Sequence, residues 1–286
     1  MALIDTHTHV ISPDPARHPV RPLGGHRSAW SELHPVDADG LLRAMDAAGV
    51  DKAVVVQAST VYGHDNTYVA ETVAAHGDRT AGVFSVDVLA GDAVDQVKRW
   101  LDRGLSGLRL FTTGSTMPGQ AGWLDDPRGD PAWAFCARHD VPVCLQMTID
   151  GIPMLRNLLR RFPGVRVLLD HLARPQLDDG PPYARAEPLL RLAAEPGVYL
   201  KLTSRTIAVA QQGRSTVADF LATLLNAFGA GRVAWGSNFP AADGTLADIT
   251  EAARAALAGL APADRAAILG DTAAAIYPAL AAPAHV

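Results

Sequence analysis

Short apolar runs alternate with longer segments whose apolar residues recur at helical spacing, from one end of the chain to the other. Runs of strand length cover Ala2–Val10, Lys52–Gln57, Ala81–Val86, Gly107–Phe111, Val141–Met147, Val165–Leu169, Val198–Leu202 and Arg232–Trp235. Such runs are too short to be separate buried helices. Between them, Leu41, Leu42, Met45 and Ala48 follow Asp37, a suitable N-cap, and stop at Gly49. Val94, Val97, Trp100 and Leu101 repeat the pattern before Gly104, Leu155, Leu158, Leu159 and Phe162 before Pro163-Gly164, and Phe220, Leu221, Leu224 and Leu225 before Gly229. The alanine-rich tail from Ala252 reads as the final helices. Strands that alternate with crossover helices predict a parallel sheet. A doubly wound open sheet is the alternative, but eight units and no Gly-rich phosphate fingerprint after the first strand favour a single-domain (β/α)8 TIM-type barrel over residues 1–286.

The length of 286 residues suits one such barrel, which takes about 250. Hydrophobic residues make up 48%, enough for a large core, and no low-complexity linker marks a second domain. A net charge of −5 without a Lys/Arg block gives no support for nucleic-acid binding or for attraction to an anionic membrane surface. No apolar run approaches the ~20 residues that span a bilayer, and the N-terminus reads as lacking a secretory signal. Cys136 and Cys144 are then expected as buried, reduced thiols in a cytoplasmic protein. Two segments break the rhythm, Ile11–Pro35 and Thr112–Gly129. In a barrel both follow strands at the catalytic face, where they read as lids or substrate contacts, or as plain surface loops.

The sharpest chemical signal is Asp5-Thr6-His7-Thr8-His9 at the end of the first strand. Alternation puts Asp5, His7 and His9 on one face, inward in a barrel, at the mouth where such enzymes build their sites. Paired imidazoles bind a divalent cation or polarise a carbonyl; the plainer reading is two hydrogen-bonded core histidines. Ile4–His9 resembles the opening strand of the amidohydrolase superfamily. More narrowly, the chain resembles the amidohydrolase-related group of 2-pyrone-4,6-dicarboxylate lactonase, L-fuconolactonase and 4-sulfomuconolactonase, with relatives among the aminocarboxymuconate semialdehyde decarboxylases. Val54–Gln57, His64-Asp65-Asn66, Gly107–Leu110, Leu169-Asp170-His171 with Pro175, and Trp235–Pro240 fall in the family's order and spacing.

His171, at the end of a buried-strand pattern, corresponds by this resemblance to the family's sixth-strand histidine, a group able to ligate metal, polarise a carbonyl or move a proton. A charge buried in the apolar strand Gly107–Phe111 needs a partner, so Arg109 either holds a substrate carboxylate, the role the resemblance implies, or makes an internal salt bridge, for instance with Asp87. Gln57, Gln146 and Lys201 punctuate other strand ends as candidate substrate contacts. Gln146 stands where the decarboxylase relatives carry a metal-ligating histidine. Asn238 stands where the family usually has an aspartate. It reads either as a natural branch or as an inactivating change; an amide cannot serve as general base, though it can orient a water.

The resemblance therefore implies a hydrolase of a small carboxylate-bearing cyclic ester. His7 and His9 would polarise the carbonyl, His171 would activate water or stabilise the oxyanion, Arg109 would hold the carboxylate and Asn238 would position the water. Asp170 and Asp243 are second-choice bases. A single divalent metal such as zinc on His7, His9 and His171 is expected to bind weakly or not at all, because two of the neighbouring positions hold amides. A lyase acting on a carboxylated aromatic or muconate-like acid, and a barrel that only binds a small acid, are the competing readings; a homo-oligomer stays open.

Overall fold

The computed structural model describes residues 2–114 and 117–281. Residues 115 and 116 of the loop after the fourth strand, and 282–286 of the alanine-rich tail, lie outside the described residues. Eight parallel strands form one sheet in sequential order: β1 (Ile4–Thr8), β2 (Lys52–Val56), β3 (Thr80–Ser85), β4 (Gly107–Phe111), β5 (Val143–Gln146), β6 (Val167–Leu169), β7 (Val198–Thr203) and β8 (Val233–Gly236). The last strand returns to the first. Asn238 N–H donates to the His7 carbonyl and His9 N–H to the Phe239 carbonyl, both at 2.8 Å, and Thr8 forms a parallel bridge with Phe239. This is a single-domain (β/α)8 barrel.

The helices begin and end where the local chemistry directs. Asp37 accepts a 2.7 Å bond from Gly40 N–H and caps Ala38–Ala48; Gly49 closes that helix in the left-handed region, at φ 65°. Thr245 and Asp248 form a reciprocal capping box on Leu246–Leu257. The expected helices near Val94, Leu155 and Phe220 occur as Ala93–Asp102, Ile152–Arg161 and Val217–Phe228. No helix among the described residues is long and apolar enough to cross a membrane.

Strand alternation divides the core. Outward apolar residues such as Val55, Leu110 and Leu200 pack against the helical ring. Inward ones, Val54, Val56, Val83, Cys144 and Leu168, meet Ile276, Tyr277 and Leu280, which plug one end of the barrel. Above that plug the interior turns polar, and the polar layer is the floor of the site. Several strands are shorter than their apolar runs. β6 stops at Leu169, because the chain then enters a turn in which His171, Leu172, Ala173 and Arg174 all have φ between 53° and 56°. Left-handed backbone costs an L-residue about 1–2 kcal/mol, so a run of it without glycine persists only where the surroundings enforce it, commonly at functional sites.

Candidate active site

β1 carries Asp5, His7 and His9 into the site, with an irregularity in its register against β2 between Asp5 and Thr8. Asp5 Oδ1 accepts from the backbone N–H groups of His7 and Ser237, each at 2.9 Å, and so ties the end of β1 to the end of β8. Opposite His7, Gly236 lacks a side chain for cause: a Cβ there would lie 2.7 Å from His7 Cβ.

His7 joins a buried polar cluster with Cys144 of β5, Asp170 at the end of β6 and Lys201 of β7, all essentially inaccessible to solvent. Lys201 Nζ lies 3.1 Å from Asp170 Oδ1, 2.7 Å from Cys144 Sγ and 3.5 Å from His7 Nδ1. Asp170 Oδ1 also accepts from Cys144 Sγ at 3.0 Å and approaches His7 Nδ1 at 3.3 Å, while Oδ2 lies 3.7 Å from Arg109 Nη2. Burial by itself would raise the Asp170 carboxyl, but Lys201, His7 and Arg109 together hold it well below the usual carboxylate range. Burial opposes the Lys201 charge too, yet Asp170 and Cys144 keep the ammonium more strongly protonated than an ordinary lysine. Burial, reinforced by Asp170, pushes the Cys144 thiol up to about 12. Both cysteines are free and buried.

Above this cluster lies a cavity of about 160 Å3 lined by His9, Arg109, Gln146, His171 and Asn238. The geometry brings together most of the residues expected from sequence. The exceptions are His7 and Lys201, which form the floor beneath the cavity, and Gln57, whose Nε2 donates to the carbonyls of Gly63 and Asp65. Arg109 makes its internal ion pair with Asp170, not Asp87, and donates from Nη1 to the Gln57 carbonyl while still facing the cavity. Asp243 is exposed in a different groove, beside Pro240 and Thr245. Asn238, at φ 62°, occupies a left-handed position that asparagine tolerates better than most residues.

Among the lining residues that sequence reading did not single out, Trp30, Arg174 and Arg205 bear most on the chemistry. Trp30 stacks on His9 with ring centroids 5.3 Å apart. It belongs to the long loop after β1, whose length was its only signal. Arg174 follows His171 in the left-handed turn and Arg205 follows β7; neither differs in sequence from an ordinary surface arginine. Burial lowers the Arg174 pKa, and Arg205 lowers it further, because the two guanidiniums face one region. No carboxylate ion-pairs with either among the described residues.

The imidazoles are held through Nδ1. His9 Nδ1 donates to the Val56 carbonyl at 2.7 Å, which leaves Nε2 as a proton acceptor. His171 Nδ1 pairs with Thr203 Oγ1 at 2.8 Å, an arrangement open to either tautomer. His7 Nε2 is buried without a partner among the described residues. Burial lowers the pKa of His7 and of His171 to about 3; for His171, Arg174, Arg109 and Arg205 add to the effect. Burial, His7 and Arg109 bring His9 well below its ordinary value. All are neutral at pH 7.

A catalytic zinc needs about three good protein donors converging on one point. Among the described residues no three His, Cys, Asp or Glu side chains converge in that way. The Lys201 ammonium lies beside His7, and Gln146 and Asn238 on the cavity wall are neutral amides. The donor set does not fit a catalytic zinc.

Residues 4–279 match the amidohydrolase family model. The chain belongs to the amidohydrolase family. It is 29% identical over 213 residues to L-fucono-1,5-lactonase of Burkholderia ambifaria, covering 74% of this chain and 71% of the relative. A Pseudomonas putida structure assigned as a 2-pyrone-4,6-dicarboxylic acid hydrolase superposes with a TM-score of 0.78 at 24% identity, covering 97% of this chain and 98% of that one. A Burkholderia multivorans amidohydrolase with bound zinc superposes with a TM-score of 0.77 at 23% identity, covering 97% and 99%. These relatives support a hydrolase acting on a small molecule. Amidohydrolases commonly carry a divalent metal, which the donors gathered around Lys201 do not suit.

Proposed function

We propose that this amidohydrolase opens the ring of a small lactone carrying carboxylate groups. The observation that carries the reading is the placement of Arg109, Arg174 and Arg205 around the same cavity as His9, His171 and Asn238. Guanidiniums facing one cavity call for an anion, and planar forks suit carboxylates. A neutral sugar lactone gives them no counter-charge. Lactonase relatives agree with ring opening as the reaction.

The hydrogen bonds favour a division of labour different from the one suggested by sequence. Because His9 Nδ1 is already donating, Nε2 can accept a proton but cannot polarise a carbonyl. His9 therefore takes a proton from the attacking water, which Asn238 orients. His171, donating from Nε2 with Thr203 bonded to Nδ1, stabilises the oxyanion together with Arg109. Water oxygen bonds to the acyl carbon, the ring C–O bond breaks, and the proton held by His9 passes to the departing alkoxide, leaving a hydroxy acid. Free of ligand, these imidazoles are weak bases chiefly because they are buried, with a smaller contribution from the arginines. A bound carboxylate offsets the arginine part of that effect and so raises the basicity of both imidazoles.

A panel tests this: neutral sugar lactones, lactones with one or two carboxylates, and carboxylated aromatic acids, followed by acid release and by evolved carbon dioxide. Carboxylated lactones are opened fastest and no carbon dioxide appears. Carbon dioxide from an aromatic acid without lactone opening, or neutral lactones opened faster than charged ones, would overturn the proposal.

A further inference from the structure

A second cavity, of about 240 Å3, adjoins the arginine-lined one, and Phe111 belongs to the lining of both. The Arg109 guanidinium stands 5.3 Å from the centre of the Phe111 ring. Gly114 makes room for that ring, because a Cβ there would run into it. The remaining walls are mostly apolar: Leu23, Val88, Leu89, Leu110, Met117 and Trp123. The polar patch of this cavity is self-satisfied. His64 Nδ1 and Ser85 Oγ are 2.9 Å apart, and burial lowers the His64 pKa, so that the pair is neutral. The charged group on this lining is Asp87, which repels an anion.

The two neighbouring cavities thus present opposite chemistry, cationic in one and apolar with a carboxylate at its edge in the other. We infer that the second cavity is a subsite for an uncharged aryl or branched-alkyl substituent of the ligand whose carboxylates the arginines hold. Asp87 and the arginines fix the polarity, acid end toward His171 and apolar end toward Trp123. The ligand is therefore an amphipathic acid rather than a polyhydroxylated sugar. The inference rests on the lactonase reading for the reaction but not for the binding.

The test measures binding and turnover separately. Calorimetry compares butanoate with 4-phenylbutanoate, and kinetics compare a γ-lactone carboxylate with its phenyl-substituted counterpart. Burial of a phenyl ring is expected to favour the aryl ligand about tenfold or more in both. Leu89→Trp fills the cavity and should bring both ratios to about one, whereas Met117→Ala, which enlarges it, should move the preference to a bulkier group. Reading ratios separates loss of the subsite from general loss of activity. A wild-type ratio near one, or a ratio untouched by Leu89→Trp and Met117→Ala alike, overturns the subsite. If no lactone is opened but the aryl acid still binds tighter and Leu89→Trp removes that preference, the subsite stands and the lactonase reading falls. If lactones are opened without aryl preference, the subsite alone falls.

Discussion

The floor of the site and its rim both carry strong charge, but they use it differently. On the floor, Asp170, Lys201 and Cys144 are inaccessible to water and each polar group meets another within about hydrogen-bonding distance. On the rim, Arg174 and Arg205 stand near each other and near His171 with no carboxylate between them among the described residues. A buried charge without a partner is too costly to keep, so the floor had to be completed within the chain itself. A rim open to solvent tolerates unneutralised charge, which is then available to a ligand. Charge satisfied internally serves shape and tuning; charge left unsatisfied serves recognition.

The largest effect tests the residues that bridge the two regions. His9→Ala and His171→Ala should each reduce kcat for a carboxylated lactone by about 10²–10⁴-fold, the usual worth of a positioned acid–base or oxyanion group. If His9→Ala retains near-wild-type kcat, the proton acceptor lies elsewhere and His171 takes over that role.

Next comes the floor. Asp170→Ala leaves Lys201 and Arg109 without their buried counter-ion and should lower stability in urea unfolding by about 3–5 kcal/mol. A loss below about 1 kcal/mol would mean that water reaches the cluster and that the contrast between floor and rim is false.

The rim should behave in the opposite way. Arg174→Ala removes a charge that ion-pairs with nothing among the described residues, so unfolding should change by about 0.5 kcal/mol or less. KM for a dicarboxylated lactone should instead rise about 10- to 150-fold, the worth of a charge-assisted hydrogen bond of about 1.5–3 kcal/mol. A large stability loss with KM unchanged would make Arg174 a structural residue of the left-handed turn.

Asn238 sharpens the boundary. Loss of its water-orienting bond in Asn238→Ala should cost about 1–3 kcal/mol, or roughly 5- to 150-fold in kcat. Asn238→Asp keeps the left-handed backbone and adds a carboxylate beside the water site; a rise in kcat that fades at low pH would show that the asparagine had replaced a base. A fall would show that the amide is itself required, since a negative charge there opposes the anionic substrate.

A further effect is one of pH. The folded-state pKa of His7 and of His171 is near 3, below the unfolded value of 6.5. The unfolded chain therefore binds more protons throughout the interval, and stability must fall as the pH is lowered from about 6.5 toward 3. Thermal unfolding across that window reads the slope, and His171→Gln should flatten it. An unchanged slope in that variant would mean that His171 is already solvated.

Much of this molecule was legible in its chain because the information is local. Asp37 and Gly49 bracket a helix through their own caps, and strand alternation at the end of β1 relates His7 to His9, while the register irregularity between Asp5 and Thr8 is something alternation alone does not contain. The convergence of His9, Arg109, His171 and Asn238 follows once the strands are ordered around a barrel. What the sequence could not supply depends on which groups meet across that barrel. Lys201 read as a substrate contact, yet its stem runs beneath the cavity to Asp170 and Cys144. His9 read as a carbonyl-polarising group until its Nδ1 was found against the Val56 carbonyl, 47 positions away in sequence. Arg174 and Arg205 became visible only through the left-handed turn after β6 and the close approach of β7. Hydrogen-bond direction, tautomer and charge pairing are properties of neighbours in space. Periodicity encodes which way a side chain leaves its own strand, and the tertiary structure decides what it finds there.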